Sequence, residues 1–321
     1  MVSDETLESR ALMLKSIRAF FDARGVLEVE TPLLSMHSTT DPHLESLQTS
    51  FRGQTCYLNT SPEYGMKRLL AGSNRAIYQV CKSFRDDELG PYHNPEFSML
   101  EWYRPGYVME QLMQELTELV CELWTLRDGS SSMPVFDRLS YRQAFQQFAG
   151  FDPHQATSST CMRLAKDKDI EVPQGLDVDD DVDEWLDWLL TQLVLPSLRK
   201  DGFSFIYDYP ASQCCLARIE KDAQQQDVAR RFELLYGELE LANGFYELTD
   251  ADEQLQRFHA ENEIRLKHNR SAVHIDKNLI AALRAGIGEC SGVAVGLDRL
   301  LMVLTGADRI DQVISFGWGK A

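Results

Sequence analysis

Leu7, Ala11, Leu14, Ile17, Phe20 and Phe21 recur at the spacing of one helix face and predict an amphipathic helix over residues 7–24. Ser3 or Asp4 can cap its start, and Gly25 supplies the stop. Apolar and acidic positions then alternate over 26–31, which reads as a strand closed by Pro32. Residues 57–59 read as a short strand. Thr60-Ser61-Pro62-Glu63 has the form of a helix start, with Ser61 as cap, Pro62 in the first turn and Glu63 near the positive end; the helix ends near Gly72.

Two apolar runs, 76–85 and 96–103, flank a polar loop and predict a long antiparallel hairpin. A helix over 108–126, a linker at 130–132 and a helical, acidic segment over about 139–200 follow. Within that segment Asp177, Asp179, Asp180, Asp181, Asp183 and Glu184 read as a solvated loop capping the helix around Trp185; a dock for a basic partner is the sharper alternative. The remainder reads as a strand at 203–207, a hairpin over 232–248, a partly helical stretch at 273–283, a strand at 292–296 and a helix at 298–304 stopped by Gly306. Hairpins with helices before and between them predict an α+β fold, an antiparallel β-sheet flanked by helices.

The length, 321 residues, suits one large unit with an inserted subdomain. Against 32 Lys and Arg stand 50 Asp and Glu, a net charge of −18. So acidic a surface repels nucleic-acid phosphates unless basic residues are segregated, and no basic run is present, which tilts the second substrate away from tRNA. The seven cysteines are scattered without a C-x-x-C pair and read as reduced cytoplasmic thiols, with adjacent Cys214 and Cys215 expected to be buried small side chains. No signal peptide is expected at the N-terminus, and the longest apolar stretch, 185–198, is too short and too polar to span a membrane.

Four constellations carry candidate chemistry. Arg85 closes one hairpin strand and Phe97 opens the next, an arrangement suited to a nucleotide, with guanidinium on phosphate and ring on adenine. Strand alternation puts Phe97, Met99, Glu101 and Tyr103 on one face. If Tyr236-Gly237 is a two-residue turn, Glu233 and Glu240 lie directly opposite; a divalent cation bridged to phosphates, or plain solvent exposure, would offset their repulsion. Asn243, Phe245 and Glu247 share a face beyond it. Gly292-Val-Ala294-Val-Gly296 permits close approach of a ligand, with Arg299 in the first turn of the next helix. Glu63 either binds an ammonium group or complements its helix dipole.

These motifs resemble class II aminoacyl-tRNA synthetases over nearly the whole length. The helix, Gly25 and Val-Leu-Glu-Val-Glu-Thr-Pro32 are similar to motif 1, Phe84-Arg85 through Phe97 to motif 2, and Gly296-Leu-Asp-Arg299 to motif 3. Thr60-Ser-Pro-Glu63, His93-Asn-Pro-Glu-Phe97 and Glu240-Leu-Ala-Asn-Gly-Phe-Tyr-Glu247 resemble the lysyl branch. The resemblance implies a class II catalytic domain over 1–321, the 139–200 insertion lying between motifs 2 and 3. It implies ATP as substrate, contacted by Arg85, Asp86, Asp87, His93, Asn94, Phe97, Glu240, Leu241, Gly296 and Arg299, with Phe97 and Arg299 sandwiching the adenine. Arg85 and Arg299 are the implied catalytic arginines, Arg85 on the α-phosphate and the substrate carboxylate, and Glu233 and Glu240 the implied magnesium ligands. Ser61, Pro62, Glu63, Glu101, Tyr103, Asn243, Phe245, Glu247 and Ala294 are implied to surround the amino acid, Glu63 on one amino group, Tyr103 and Glu247 on the side-chain ammonium.

Two positions depart from the pattern. Asp87 stands where the motif 2 signature has glutamate, and Ala294 where the lysyl branch has glycine, which narrows or reshapes the amino-acid pocket. Motif 1 begins at once, so no anticodon-binding domain is expected. The chain therefore resembles the stand-alone paralogs that ligate lysine, preferentially (R)-β-lysine, to elongation factor P, and homodimerisation through motif 1 is implied. A truncated enzyme charging tRNA or a small carrier, and a non-catalytic amino-acid-binding regulator, are the rival readings. An amidating paralog would want arginine where this pocket has carboxylates.

Overall fold

A computed structural model describes residues 2–86, 88–127, 132–177 and 181–320. Asp87, Asp179, Asp180 and most of the expected linker at 130–132 lie outside the described residues. The chain divides into two compact units, Met1–Met133 with Tyr246–Ala321, and Pro134–Phe245.

The first unit opens with α1 (Asp4–Asp22), which buries the predicted Ile17, Phe20 and Phe21 together with Met13, while the predicted Leu7 and Ala11 are exposed and Leu14 is half-buried. Ser3, not Asp4, is the cap: its Oγ accepts the Thr6 N–H at 3.2 Å. Gly25 ends the turn at φ +65, a left-handed conformation that glycine adopts without a Cβ clash. The strand predicted at 26–31 contracts to β1 (Leu27–Glu28), and β2 (Leu34–Ser35), β3 (Gln48–Phe51) and β4 (Gln54–Leu58) form a separate small sheet. In α2 (Glu63–Ser73) Pro62 takes the cap position, while Ser61 Oγ accepts the Glu63 N–H at 3.4 Å. The helix runs one residue past Gly72 and stops at Asn74, φ +47.

β5 (Ile77–Phe84) and β6 (Glu96–Pro105) are the predicted antiparallel hairpin, followed by α3 (Met109–Trp124). Alternation along β6 decides which side chains face the helices. Leu100 and Trp102 point one way, where Phe21 stacks on Tyr78 at 4.4 Å and meets Trp102 edge-on at 5.3 Å. The indole of Trp102 donates to Glu115 of α3 at 3.0 Å, so this buried N–H is satisfied. The opposite face is left to Met99, Glu101 and Tyr103.

The second unit holds β7 (Phe136–Ser140), α4 (Tyr141–Ala144), α5 (Ser158–Asp167), α6 (Val182–Leu189), β8 (Phe203–Pro210), β9 (Ile219–Lys221), β10 (Asp227–Tyr236) and β11 (Leu239–Tyr246), whose last residue belongs to the first unit. β7 runs parallel to β8, and β10 pairs antiparallel with β8, β9 and β11. Its core gathers Tyr141, Phe145, Trp185, Leu186, Leu189, Ile206 and Tyr209. The acidic stretch does cap a helix: Asp181 Oδ1 accepts the Asp183 N–H at 3.1 Å at the start of α6.

The β10–β11 turn corrects an expectation. Tyr236 pairs with Leu239, so the turn is Gly237-Glu238, with Gly237 at φ +56. Glu233 therefore faces Asn243 and not Glu240, which pairs with Leu235 beyond a bulge at Leu234 and Leu235. One residue of slip at the turn moves every cross-strand pair.

The chain returns to the first unit through α7 (Ala251–Lys267), α8 (Lys277–Ala285), β12 (Cys290–Gly296) and α9 (Leu297–Thr305). No apolar stripe announced α7, whose buried residues are only Ala251, Gln254, Phe258 and Arg265. The Arg265 guanidinium donates to the carbonyls of Asp41, Leu44 and Ser271 and pairs with Glu45 at 2.8 Å, so a buried cation substitutes for apolar packing. β12 pairs antiparallel with β6, and the first unit's strands run in the order β1-β5-β6-β12. Among the described residues no helix is long and apolar enough to cross a membrane.

Candidate active site

In the first unit the polar face of β6 sits between two strands of complementary size. Gly292, Ala294 and Gly296 of β12 pair with Tyr103, Glu101 and Met99, and Ile77, Gln79, Cys81 and Ser83 of β5 pair with Tyr103, Glu101, Met99 and Phe97. Small residues on one side leave space over the functional ones. Gly292 cannot be larger: a Cβ there would meet the Tyr103 ring at 2.3 Å and Glu247 Oε1 at 2.5 Å. Ala294 lies opposite Glu101, so its methyl stands beside that carboxylate.

Glu63, Glu101, Tyr103 and Glu247 are brought together as the sequence implied. Tyr103 donates to Glu101 Oε1 at 2.7 Å, while Glu101 Oε2 is buried with no hydrogen-bond partner among the described residues. Burial, then the charges of Glu63 and Glu247, push the Glu101 carboxyl well above the usual carboxylate range. Burial also pushes Glu247 up to about 7, against the opposing pull of Lys67.

Lys67 escaped the sequence reading. It lies one helical turn beyond Glu63 and looks like an ordinary i,i+4 surface pair. In the fold it is 1 % exposed, with Nζ 2.6 Å from Glu63 Oε1 and 2.6 Å from Glu247 Oε2. Burial works against its charge, but Glu247 and Glu63 override that and hold it above the ordinary lysine range. Gln79 was missed as well: it is buried beside Glu101, its Oε1 without a hydrogen-bond partner among the described residues.

The motif 2 and motif 3 groups also assemble in this unit. Arg85 Cζ lies 5.2 Å from the Phe97 ring centroid, and its Nη1 pairs with Glu88 at 2.9 Å. Its Nε is buried without a hydrogen-bond partner among the described residues, a donor suited to an incoming anion. Arg299 Nη2 lies 2.6 Å from His93 Nε2, and its Nε donates to the Tyr92 carbonyl at 3.2 Å. Asp86 is exposed, its N–H bonded to the Glu45 carbonyl. The buried amide of Asn94 is structural here: Nδ2 donates to Glu96 O at 2.6 Å and Oδ1 accepts the Trp318 N–H at 2.9 Å. Asp298, the third residue of Gly296-Leu-Asp-Arg299, is a strut that accepts from Arg10 at 2.5 Å and from the Ser98 N–H at 2.6 Å, holding the turn that presents Arg299.

The second unit contributes Glu233, Glu240, Leu241, Asn243 and Phe245. Arg231 and Glu233 pair across β10–β11 with Phe245 and Asn243, so all four share a face. Arg231, absent from the sequence reading, binds Glu233 Oε1 at 2.5 Å, stacks over Tyr209 at 4.2 Å and donates to the Gln213 carbonyl at 3.3 Å. Burial, the like charge of Glu240 adding to it, pushes Glu233 up to about 7 despite Arg231. Glu240 is exposed, Leu241 buried, and Asn243 Oδ1 buried without a hydrogen-bond partner among the described residues. Cys214 and Cys215 are half-buried rather than buried; Cys215 sits at φ +46, its Sγ 3.7 Å from Arg231 Nη1.

No cluster of three or more His, Cys, Asp or Glu side chains among the described residues would cage a metal. Two hard carboxylates, one with an oxygen already on Arg231, fit magnesium, which usually keeps waters and takes one or two carboxylates together with substrate phosphates.

Comparison with known proteins gives the family of the chain. The family of class II tRNA synthetases (D, K and N) matches residues 2–319. A Salmonella arizonae protein named elongation factor P–(R)-beta-lysine ligase is 46% identical over 321 positions, covering 98% of this chain and 95% of the relative. Proteins of the same name from Yersinia enterocolitica and Yersinia pestis are each 46% identical, covering 98% and 97% of this chain and 95% and 94% of the relatives.

Proposed function

Because the chain belongs to the class II tRNA synthetases (D, K and N), we propose that it activates (R)-β-lysine with ATP and transfers it to a lysine side chain of elongation factor P. The amino-acid carboxylate attacks the α-phosphorus of ATP, the bond to the bridging oxygen breaks, and pyrophosphate leaves. The ε-amine of the protein lysine then attacks the carbonyl of the adenylate, loses a proton, and displaces AMP to leave an amide. The chain's part is positioning and charge, as in other phosphoryl and acyl transfers. Arg85 and Arg299 bind the nucleotide, and Phe97 stacks on its base. Glu233 and Glu240 are the carboxylates for magnesium, which when bound neutralises phosphate charge.

The observation that carries this reading is the amino-acid cluster: Glu63, Glu101, Glu247 and the Tyr103 phenol gather around one buried cation, Lys67. Such a set is short of positive charge and suits a substrate with two ammonium groups. The relatives' shared name selects β-lysine and elongation factor P. The net charge of −18 favours a lysine-bearing protein over tRNA.

We read the chain as one synthetase-type catalytic domain with a helical insertion over about 139–200, acting in the cytoplasm as a homodimer through motif 1. The exposed apolar side chains Leu27, Leu33, Leu34 and Met36 support the last point. ATP–pyrophosphate exchange with (R)-β-lysine, α-lysine or no amino acid, followed by transfer to elongation factor P or to tRNA, tests the proposal. Exchange with label on the factor is expected. Label on tRNA alone would make the chain a minimal synthetase, and no exchange would sink lysine activation.

A further inference from the structure

The Lys67 ammonium lies where the amino-acid substrate's own ammonium groups are implied to bind, and it contacts both carboxylates assigned to them. We propose that Lys67 is a specificity-determining residue: it ties Glu63 and Glu247 into a fixed pair that selects a diammonium substrate by the distance between its two amino groups. The inference rests on the function proposed above and goes beyond it to how the isomer is chosen.

The pair is short and stiff. Each carboxylate has an oxygen 2.6 Å from the same Nζ, so those two oxygens are at most twice that distance apart. Glu247 Oε2 pairs with Lys67, and Oε1 lies so close to Gly292 that a Cβ there would stand 2.5 Å from it. Its backbone N–H is bonded to Cys290 O at 3.0 Å. Glu63 is held by the first turn of α2 and by Nζ, one turn along the same helix. Neither carboxylate can swing to follow a longer ligand without breaking a buried ion pair.

Acceptors set the number of ammonium groups, and span sets their spacing. Glu63 and Glu247 share the cation Lys67, and Glu101 offers a further buried oxygen without a hydrogen-bond partner among the described residues. Two ammonium groups find carboxyl acceptors there. Moving the amino group from C2 of lysine to C3 brings the two ammonium groups one methylene closer. A rigid pair distinguishes these isomers where a flexible pair would stretch to accept both. A methylene's difference in a fitted site is worth roughly 10–200-fold.

Full-length enzyme is assayed by ATP–pyrophosphate exchange with (R)-β-lysine and α-lysine, as wild type, K67M and K67R. Putrescine and cadaverine, diamines one methylene apart and without a carboxylate, are then compared as competitive inhibitors of the wild type. The expected result is a kcat/KM ratio of about tenfold or more for the β-isomer in the wild type, a fall toward unity in K67M, partial retention in K67R, and stronger inhibition by putrescine. A folded K67M with an unchanged ratio overturns the inference, as does equal inhibition by the two diamines. Should K67M fail to fold, the diamine comparison decides alone. Absence of exchange with either isomer in the wild type overturns the proposed function itself, and the inference with it.

Discussion

The two units solve one electrostatic problem in different ways. In each, a carboxylate of the candidate site is pushed up to about 7 by burial and pulled back by one internal cation, Glu247 by Lys67 and Glu233 by Arg231. Lys67 bridges carboxylates far apart in sequence and is sealed, with Glu247 itself 1 % exposed. Arg231 reaches two residues along its own strand to a Glu233 that remains 17 % exposed, and leans on Tyr209 and the Gln213 carbonyl. A cation sealed between two carboxylates is a fixture of the pocket. A cation beside a solvent-reachable carboxylate shares the work of charge compensation with water. The lesson is to count the cation with the anions, because the anions alone overstate the charge offered to a ligand.

The largest effect that would sharpen this contrast is on stability. Lys67→Met leaves sealed carboxylates uncompensated and is expected to destabilise the protein by about 3–5 kcal/mol, read as the loss in a denaturant titration. Arg231→Met should cost less, about 1–3 kcal/mol, because water reaches Glu233. Equal losses would break the comparison. Next, adding Glu247→Gln to Lys67→Met should recover roughly half of the loss or more, since the partners couple. A strictly additive double variant would show that Glu247 is not what Lys67 holds.

A smaller effect follows from pH. Glu247 and Glu233 are both raised in the fold from an ordinary value of 4.5. Between that value and about 7 the native protein holds protons the unfolded chain has released. Their stabilisation is therefore complete at low pH and is lost as pH rises through about 7. Ligand-free protein should be less stable at pH 8 than at pH 5.5, and Glu247→Gln should flatten the slope more than Glu233→Gln. A profile unchanged by Glu247→Gln would contradict its burial as a charge. The smallest effect is expected at Cys215, whose half-buried Sγ lies 3.7 Å from Arg231 Nη1. Cys215→Ala should change stability by less than about 1 kcal/mol, measured by the same titration.

Where a feature depends on neighbours in the chain, it was legible in advance. The existence of α1 and the inward Ile17, Phe20 and Phe21, the Gly25 stop, the β5–β6 hairpin and the β12–α9 turn need only periodicity and glycine conformation, whereas the exposure of Leu7 and Ala11 depends on what the helix packs against. The alternation that placed Glu101 and Tyr103 together held, because a strand has no other way to turn its side chains. The β10–β11 register did not hold, since Tyr236-Gly237 and Gly237-Glu238 are both acceptable turns and the bulge that accompanies the second leaves no mark in the residues. α7 was missed because its buried positions include polar Gln254 and Arg265, and the Arg265 guanidinium is satisfied by the carbonyls of Asp41, Leu44 and Ser271.

The sequence alone therefore determined the family resemblance, the α+β character and the roster of acidic, aromatic and arginine side chains that make up the candidate site, because each is written in short motifs. Only the tertiary structure decided that Lys67 stands between Glu63 and Glu247, that Arg231 guards Glu233, and that Asn94 and Asp298 are struts. Burial and charge pairing depend on which segments close over a group. A lysine one turn from a glutamate is an exposed ion pair or a sealed bridge according to whether Glu247, 180 residues further on, is folded against it.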